Sequence, residues 1–321
     1  MLPAIPDDIV PSNGLYRDYS QYYNAVQRFD WSVGLYLDAL EASGRADRTV
    51  VILTSDHGLP MARGKLSTYE LGLRFPMIIR WPGVTQAGDT RDQLVSHVDL
   101  TPTIDRALGL DTPEGTTGIS LLPLLKDANA EWRDYVAGEF FAHTTYRQLN
   151  PGYTLRDKRY KLLVNVLSTE KYRGQQTASD KLIAAGNTDY WIAIKSQADT
   201  LAHRVYQRVT DRPAVELYDL QKDPNEYENL AQDPAYADVR ARLETGLRTF
   251  RESTDDPFLD EAELHRFIQH YLLKQSMIIA WEEETGGDLW SDDIRRGDQS
   301  AFARTWRPER SNPPLKLFTT P

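Results

Sequence analysis

Two residues that can bind a metal ion, Asp56 and His57, follow the apolar run Val50–Thr54 after a single serine, Ser55. A carboxylate oxygen suits hard divalent cations, and an imidazole nitrogen can supply a second ligand. Such a run is typical of a strand buried on both faces of a parallel sheet, and open α/β sheets bind ligands at the carboxyl ends of their strands. The sequence therefore predicts a metal site where this strand ends. The alternative is a turn that Asp56 caps and against which His57 packs.

A candidate anion-binding lysine follows in the short loop that contains Arg63, Gly64 and Lys65. A flexible ammonium group can approach an anionic oxygen and neutralise charge as a sulfate or phosphate ester breaks. A surface lysine is more often simply solvated, so the interpretation of Lys65 depends on the motifs around it.

A helix and two strands are expected to position these residues. From residue 17 to residue 42 apolar side chains recur at helical spacing, and Gly44 is a suitable stop just beyond. Residues 50–55 predict the first strand and residues 76–81 predict the second. A helix followed by a buried strand is half of a βαβ unit, which favours an α/β fold.

The pattern changes after about residue 130, where short strand-like runs alternate with turn residues, as in an antiparallel sheet. Amphipathic helices are predicted for residues 239–250 and 260–284. We therefore divide the chain into residues 1–130, which carry the candidate site; residues 131–255, an antiparallel subdomain; and residues 256–321, a helical extension and tail.

The composition is that of an ordinary globular protein, with 40% apolar and 26% charged residues. A net charge of −10 argues against a general nucleic-acid binder, which needs a basic surface, although a local basic cluster can still bind an anionic substrate. The absence of cysteine excludes disulfides and thiolate metal sites. No apolar run approaches the ~20 residues that span a bilayer, no signal peptide is visible, and no compartment can be assigned.

These motifs together resemble the sulfatases, a branch of the alkaline-phosphatase superfamily. The matching segments are Asp56-His57-Gly58, Gly64-Lys65 with Tyr69-Glu70, Arg74–Gly83, Val95–Thr103, and Glu216–Leu220 with Asp223–Glu226 and Glu228–Leu230. The resemblance covers roughly residues 15–250, and the short loop before Lys65 is similar to that of the heparan N-sulfatase-like branch. It implies an α/β/α sandwich with a mainly parallel sheet and a smaller antiparallel C-terminal subdomain.

The resemblance also implies roles for individual residues. Asp56 and His57 would hold a divalent cation, with calcium expected first and manganese or zinc left open because imidazole suits softer metals. Lys65 would contact the sulfate as a catalytic and substrate-binding residue, and Arg63 would assist in binding. His143 lies in a region that approaches the substrate in sulfatases, where a histidine can protonate a leaving group. The alternative for His143 is an ordinary residue at a strand end.

Two parts of a complete sulfatase site cannot be found in the sequence. Sulfatases make a formylglycine nucleophile from a Cys/Ser-x-Pro/Ala-x-Arg motif, and no stretch here matches that motif. They also place an acidic metal-binding pair on their first strand, whereas Asp7-Asp8 is flanked by prolines and is interpreted as loop. We therefore expect a truncated or split chain that is poorly soluble alone or needs a partner carrying the N-terminal half.

Two other functions remain open. The first is a phosphodiesterase or phosphonate hydrolase of the same superfamily, which shares the Asp-His pair. The second is a non-catalytic remnant that still binds anions. The expected partners are a sulfated small molecule or glycan and either a separate N-terminal half or a homo-oligomer.

Overall fold

The computed structural model describes residues 13–59, 63–143, 148–168, 204, 208 and 212–285. The chain divides into two compact units, residues 1–264 and residues 265–321. The boundaries that the sequence suggests at residues 130 and 255 stay predictions.

The first helix, α1 (Asn13–Ala42), confirms the helix predicted for residues 17–42. Two residues beyond its end Gly44 has φ +65°, a left-handed conformation that favours glycine. On the apolar face of α1 Tyr19 is buried, whereas Phe29 is exposed. Within the described part of the chain this face is therefore only partly covered.

The first sheet pairs the two predicted strands, β1 (Val51–Thr54) and β2 (Met77–Arg80). They run antiparallel, with Ile52 opposite Ile79, and every side chain of β1 is only partly buried. The sequence predicts a parallel neighbour and full burial for β1, so this pairing differs from the expectation. The reason is that an apolar run indicates burial but carries no information about the direction of the adjacent strand.

Short helices connect and follow this sheet. Helix α2 (Glu70–Leu73) lies between β1 and β2, and α3 (Leu100–Leu108) and α4 (Leu122–Lys126) come later. Helix α3 ends at Gly109, which adopts the left-handed conformation at φ +69° that favours glycine.

The second sheet confirms the predicted antiparallel subdomain. Among the described residues its four strands are hydrogen-bonded in chain order, each antiparallel to the next. They are β3 (Val136–His143), β4 (Gln148–Arg156), β5 (Tyr160–Asn165) and β6 (Val215–Asp219).

A hydrophobic core lies between this sheet and helix α5 (Ala237–Ser253). Leu243 and Leu247 of α5 are buried with Leu162 and Leu217 of the sheet. Burial of a leucine side chain contributes about 1.5–3 kcal/mol, so this contact is a main source of stability for the subdomain.

The last helix, α6 (Glu261–Thr285), confirms the helix predicted for residues 260–284. The predicted C-terminal tail lies outside the described residues. None of the helices in the described ranges combines the length and the apolarity that crossing a membrane requires.

Candidate active site at the end of the first strand

The carboxylate of Asp56 and the imidazole of His57 lie side by side just beyond β1. His57 Nε2 is 3.2 Å from Asp56 Oδ2, and the His57 backbone N–H donates to Asp56 Oδ1 over 3.0 Å. The Asp56 side chain is 83% exposed and that of His57 is 35% exposed. A carboxylate oxygen and an imidazole nitrogen therefore point to the same open region, as expected of two ligands for one cation.

The ring of His57 is oriented by its own chain. His57 Nδ1 lies 2.9 Å from the Gly58 carbonyl oxygen, which can only accept a hydrogen bond. Nδ1 can donate to this carbonyl, while Nε2 is the ring nitrogen that faces the Asp56 carboxylate. A cation between that carboxylate and Nε2 would be bound by both, and metal-binding histidines are commonly oriented by a hydrogen bond from the other ring nitrogen. This donor set fits a divalent cation only in part, because no cluster of three or more metal-ligating side chains occurs among the described residues.

Gly58 is required by close packing. Its N–H donates to the Gly72 carbonyl over 2.9 Å, and a Cβ at Gly58 would lie only 1.8 Å from the Leu71 carbonyl oxygen. Glycine is needed here because two backbone segments meet, and Gly58 is not among the residues with positive φ.

Lys65 lies on the loop that leaves this site. Its backbone N–H donates over 2.7 Å to the carbonyl of Leu59, which lies two residues after His57. This hydrogen bond closes the loop between Leu59 and Lys65. The Lys65 side chain is exposed. The structure thus places a solvent-facing ammonium group on the same loop as the two candidate metal ligands.

Arg63, two residues earlier, points into the protein. Its side chain is buried, its guanidinium donates to the Glu226 carbonyl over 2.7 Å, and it lies 4.1 Å from the centre of the Tyr69 ring. Burial acts to lower the pKa of Arg63, but electrostatic interactions with Tyr69, Tyr218 and Glu226 outweigh it and raise this pKa above its ordinary value. The direct substrate contact predicted for Arg63 stays a prediction.

A buried group of charged side chains joins helix α2, which follows the loop of Lys65, to the second sheet. Lys161 Nζ, which is fully buried, lies 3.0 Å from Glu70 Oε1 and 3.1 Å from Glu226 Oε1. Arg156 also pairs with Glu70, and the Glu70 backbone N–H donates to Glu226 Oε2 over 2.6 Å. Burial raises the pKa of Glu226, and the nearby cations offset this only in part. Arg156 and Lys161 therefore hold two parts of the fold together through Glu70 and Glu226.

A second buried carboxylate, Glu216, lies beside this group. Its oxygens accept hydrogen bonds from the hydroxyls of Tyr69 and Tyr218 and from the Asn165 amide. The segments identified as sulfatase motifs, Tyr69-Glu70 and Glu216–Leu220 with Asp223–Glu226, thus meet in three dimensions. Sequence reasoning missed this contact because the residues are about 150 positions apart.

Asp99 has a structural role. It is buried, accepts a hydrogen bond from the Ser96 backbone N–H over 2.8 Å, and pairs with Arg133 at 2.5 Å. The nearby His97 was missed by sequence reasoning. Its Nε2 lies 3.3 Å from the Thr54 hydroxyl at the end of β1, and its ring stacks on Phe75.

His143 is the last residue of β3 and pairs with Gln148 in the sheet register. Its side chain lies outside the described part of the structure. The catalytic role predicted for His143 therefore stays a prediction.

Comparison with protein families shows matches to two family models. The sulfatase model matches residues 4–110, and the model for the C-terminal region of N-sulphoglucosamine sulphohydrolase matches residues 63–180. Together they cover more than half of the chain.

Curated relatives carry sulfatase names. An ulvan-active sulfatase of Formosa agariphila is 33% identical over 226 residues, which are 69% of this chain and 41% of that protein. Human N-sulphoglucosamine sulphohydrolase is 29% identical over 263 residues, which are 75% of this chain and 49% of the human protein. The chain thus spans less than half the length of these relatives.

Solved structures of similar proteins confirm the α/β fold class. A 2-O GAG sulfatase has a TM-score of 0.58 at 24% identity, over 80% of this chain and 54% of its own. A protein solved with its substrate D-glucosamine-2-N,6-O-disulfate has a TM-score of 0.54 at 24% identity, over 72% of this chain and 40% of its own. At this identity the likeness shows the fold alone. From the family models and the named relatives, this chain belongs to the sulfatase family.

Proposed function

We propose that this chain supplies the cation-binding and sulfate-binding part of a sulfuric ester hydrolase. The observation that carries the proposal is the geometry at the end of β1. There Asp56 Oδ2 and His57 Nε2 lie 3.2 Å apart, with the ring held by the Gly58 carbonyl. Membership of the sulfatase family supports the same reaction class.

Each candidate residue is assigned one role. Asp56 and His57 would hold a divalent cation, which when bound supplies Lewis-acid polarisation of an ester oxygen. Lys65 would neutralise the negative charge that the sulfate group carries through the reaction. Arg63 would assist substrate binding, and His143 would donate a proton to the leaving group.

Calcium is the proposed cation, with manganese and zinc as the alternatives. Calcium prefers oxygen ligands, whereas the imidazole of His57 is better suited to the softer metals. With only two protein ligands in the described residues, we expect weak binding of any of the three ions.

A sulfated glycan is the proposed substrate class. The names of the relatives support this class, since they include an ulvan-active sulfatase and an N-sulphoglucosamine sulphohydrolase. Turnover also needs a nucleophile, and no Cys/Ser-x-Pro/Ala-x-Arg motif occurs in this sequence. We therefore propose that activity requires a separate N-terminal half of the catalytic domain.

Sulfate binding by the full chain tests the proposed site. In the presence of Ca²⁺ we expect Lys65→Met and Asp56→Asn each to raise the dissociation constant for inorganic sulfate at least fivefold, measured by NMR titration. The control is Lys222→Met, which removes another exposed lysine, near Asp219 on the second sheet. Unchanged sulfate affinity in both site variants would refute the proposal.

A phosphonate or phosphodiester hydrolase is the second candidate. The phosphonate monoester hydrolase of Agrobacterium radiobacter has a TM-score of 0.52 at 25% identity, over 73% of this chain and 41% of its own. Parallel assays with an aryl sulfate and an aryl phosphodiester, after addition of a sulfatase N-terminal half, would distinguish the two. Glycan binding without turnover of either substrate would indicate a non-catalytic remnant.

A further inference from the structure

The loop that carries Lys65 contains strained backbone on both sides of the lysine. Arg63 has φ +63° and Leu66 has φ +73°. Glu226, which contacts the loop, has φ +60°. A left-handed conformation costs a non-glycine residue about 1–2 kcal/mol, so it persists only where the surrounding contacts hold it.

Hydrogen bonds occupy the carbonyl groups of this loop. The Ser67 hydroxyl lies 2.6 Å from the Arg63 carbonyl oxygen and 2.7 Å from that of Gly64. The Asn150 side chain, from the second sheet, donates to the Leu66 carbonyl over 3.3 Å. Hydrogen bonds therefore form both within the loop and between the loop and strand β4.

The strongest attachment is the contact between Arg63 and Glu226. The guanidinium donates to the Glu226 carbonyl and lies over the ring of Tyr69. The Glu226 carboxylate in turn accepts the N–H of Glu70 and lies 3.1 Å from the ammonium group of Lys161. Arg63 and Glu226 are both buried, so water does not screen these interactions effectively.

We propose that Arg63 and Glu226 are positioning residues for Lys65, holding its loop in a strained shape that directs the ammonium group toward a bound sulfate. The inference rests on the proposed function of Lys65. Its physical basis is that a loop fixed before binding loses less conformational entropy when the anion binds. Arginine suits this role because its planar fork can donate to a carbonyl while its face stacks on an aromatic ring.

Substitution of Arg63 provides the first test. In the full chain with Ca²⁺ present, Arg63→Met is expected to raise the dissociation constant for inorganic sulfate at least fivefold. Hydrogen exchange of the amides of residues 64–67 should become at least tenfold faster in the absence of sulfate. An unchanged dissociation constant, or unchanged exchange, would overturn the inference.

A double-mutant cycle separates positioning from direct contact. If Arg63 acts through Lys65, adding Arg63→Met to Lys65→Met should cause less than a twofold further loss of sulfate affinity. If Arg63 touches sulfate itself, the two losses should multiply. Multiplying losses would therefore overturn the positioning role.

Glu226→Gln is a milder variant that retains the shape of the side chain and removes its charge. It should also speed exchange in residues 64–67 and weaken sulfate binding, and it keeps the inference testable if Arg63→Met does not fold. The matched control is Arg159→Met, which breaks the ion pair between the turn that joins β4 to β5 and Asp219 at the end of β6. This control should leave sulfate affinity within twofold of the wild type.

The outcomes also separate this inference from the proposed function. If Lys65→Met and Asp56→Asn both leave sulfate binding unchanged, the proposed function fails. If Lys65→Met weakens binding but Arg63→Met and Glu226→Gln do not, only the positioning inference fails.

Discussion

At the residue scale, the turn after β1 depends on the absence of a side chain at Gly58. A Cβ there would overlap the Leu71 carbonyl oxygen, and the next nearest atoms, the Leu71 carbonyl carbon and Gly72 Cα, are also backbone. Backbone atoms cannot rotate away as a flexible side chain could. The candidate metal ligands are therefore positioned by a contact that tolerates only glycine.

We predict that Gly58→Ala lowers the free energy of unfolding by more than about 3 kcal/mol, because overpacking at a site that can adjust costs about 1–3 kcal/mol. Urea denaturation followed by circular dichroism measures the change. The matched control is Gly34→Ala in the middle of α1, where an added Cβ would have no neighbouring atom within 4 Å. Alanine in a helix is favoured over glycine by about 0.5–1 kcal/mol, so Gly34→Ala should stabilise the protein. Equal effects of the two substitutions would contradict this explanation.

The sequence indicates the candidate ligands because they are adjacent in the chain. Asp56 and His57 come one residue after an apolar strand, and Lys65 lies on the next loop. His97 carries no such local signal, because its contact with Thr54 joins residues 43 positions apart. Long-range contacts of this kind depend on the whole fold and cannot be read from spacing.

At the element scale, ion pairs hold helix α2, which follows the loop of Lys65, to the second sheet. Glu70, at the start of α2, lies between Lys161 and Arg156 of the sheet. Burial acts to raise the pKa of Glu70, but the two cations outweigh this effect and lower it below its ordinary value of 4.5. The ionised carboxylate is therefore the form that the folded state favours.

We predict that Glu70 makes stability depend on pH in the acid range. Since its pKa is lowered in the folded state, its contribution is present above pH 4.5 and is lost as the pH falls through the folded-state value. The difference in Tm between the wild type and Glu70→Gln should therefore be larger at pH 6 than at pH 3. The control Glu252→Gln, which removes an exposed carboxylate from α5, should show a small and constant difference. A Glu70→Gln difference that does not shrink toward pH 3 would refute the assignment.

Most helices and strands can be predicted from the sequence because periodic apolar residues define them locally. The helical spacing of apolar residues in 17–42 corresponds to α1. The short strand-like runs after residue 130 correspond to β3–β6. The antiparallel pairing of β1 with β2 could not be predicted, since strand direction depends on the path of the connecting chain. The contact between Glu70 and Glu226 could not be predicted either, because the two residues lie on separate parts of the chain.

At the scale of the whole molecule, the apolar surface of α1 is the largest unexplained feature. Its exposed large side chains are Tyr23, Val26, Phe29, Trp31, Leu35, Tyr36 and Leu37. Several of these side chains, among them Phe29 and Tyr36, share one side of the helix, and exposed apolar surface commonly marks an interaction site. We therefore propose that a second copy of the chain covers this surface.

Replacing apolar side chains on α1 tests this proposal. Phe29 and Tyr36 are two helical turns apart and share a face, so Phe29→Glu with Tyr36→Glu adds charge to that surface. We predict that the double variant self-associates less than the wild type at the same concentration, measured by sedimentation velocity.

The control is Asn24→Glu with Gln27→Glu, which adds the same charge at exposed polar positions of α1 without removing apolar area. If charge alone reduces association, both variants will behave alike, whereas burial of apolar surface predicts a loss only in the first. A wild-type chain that sediments as a single monomer at every concentration would contradict self-association through α1.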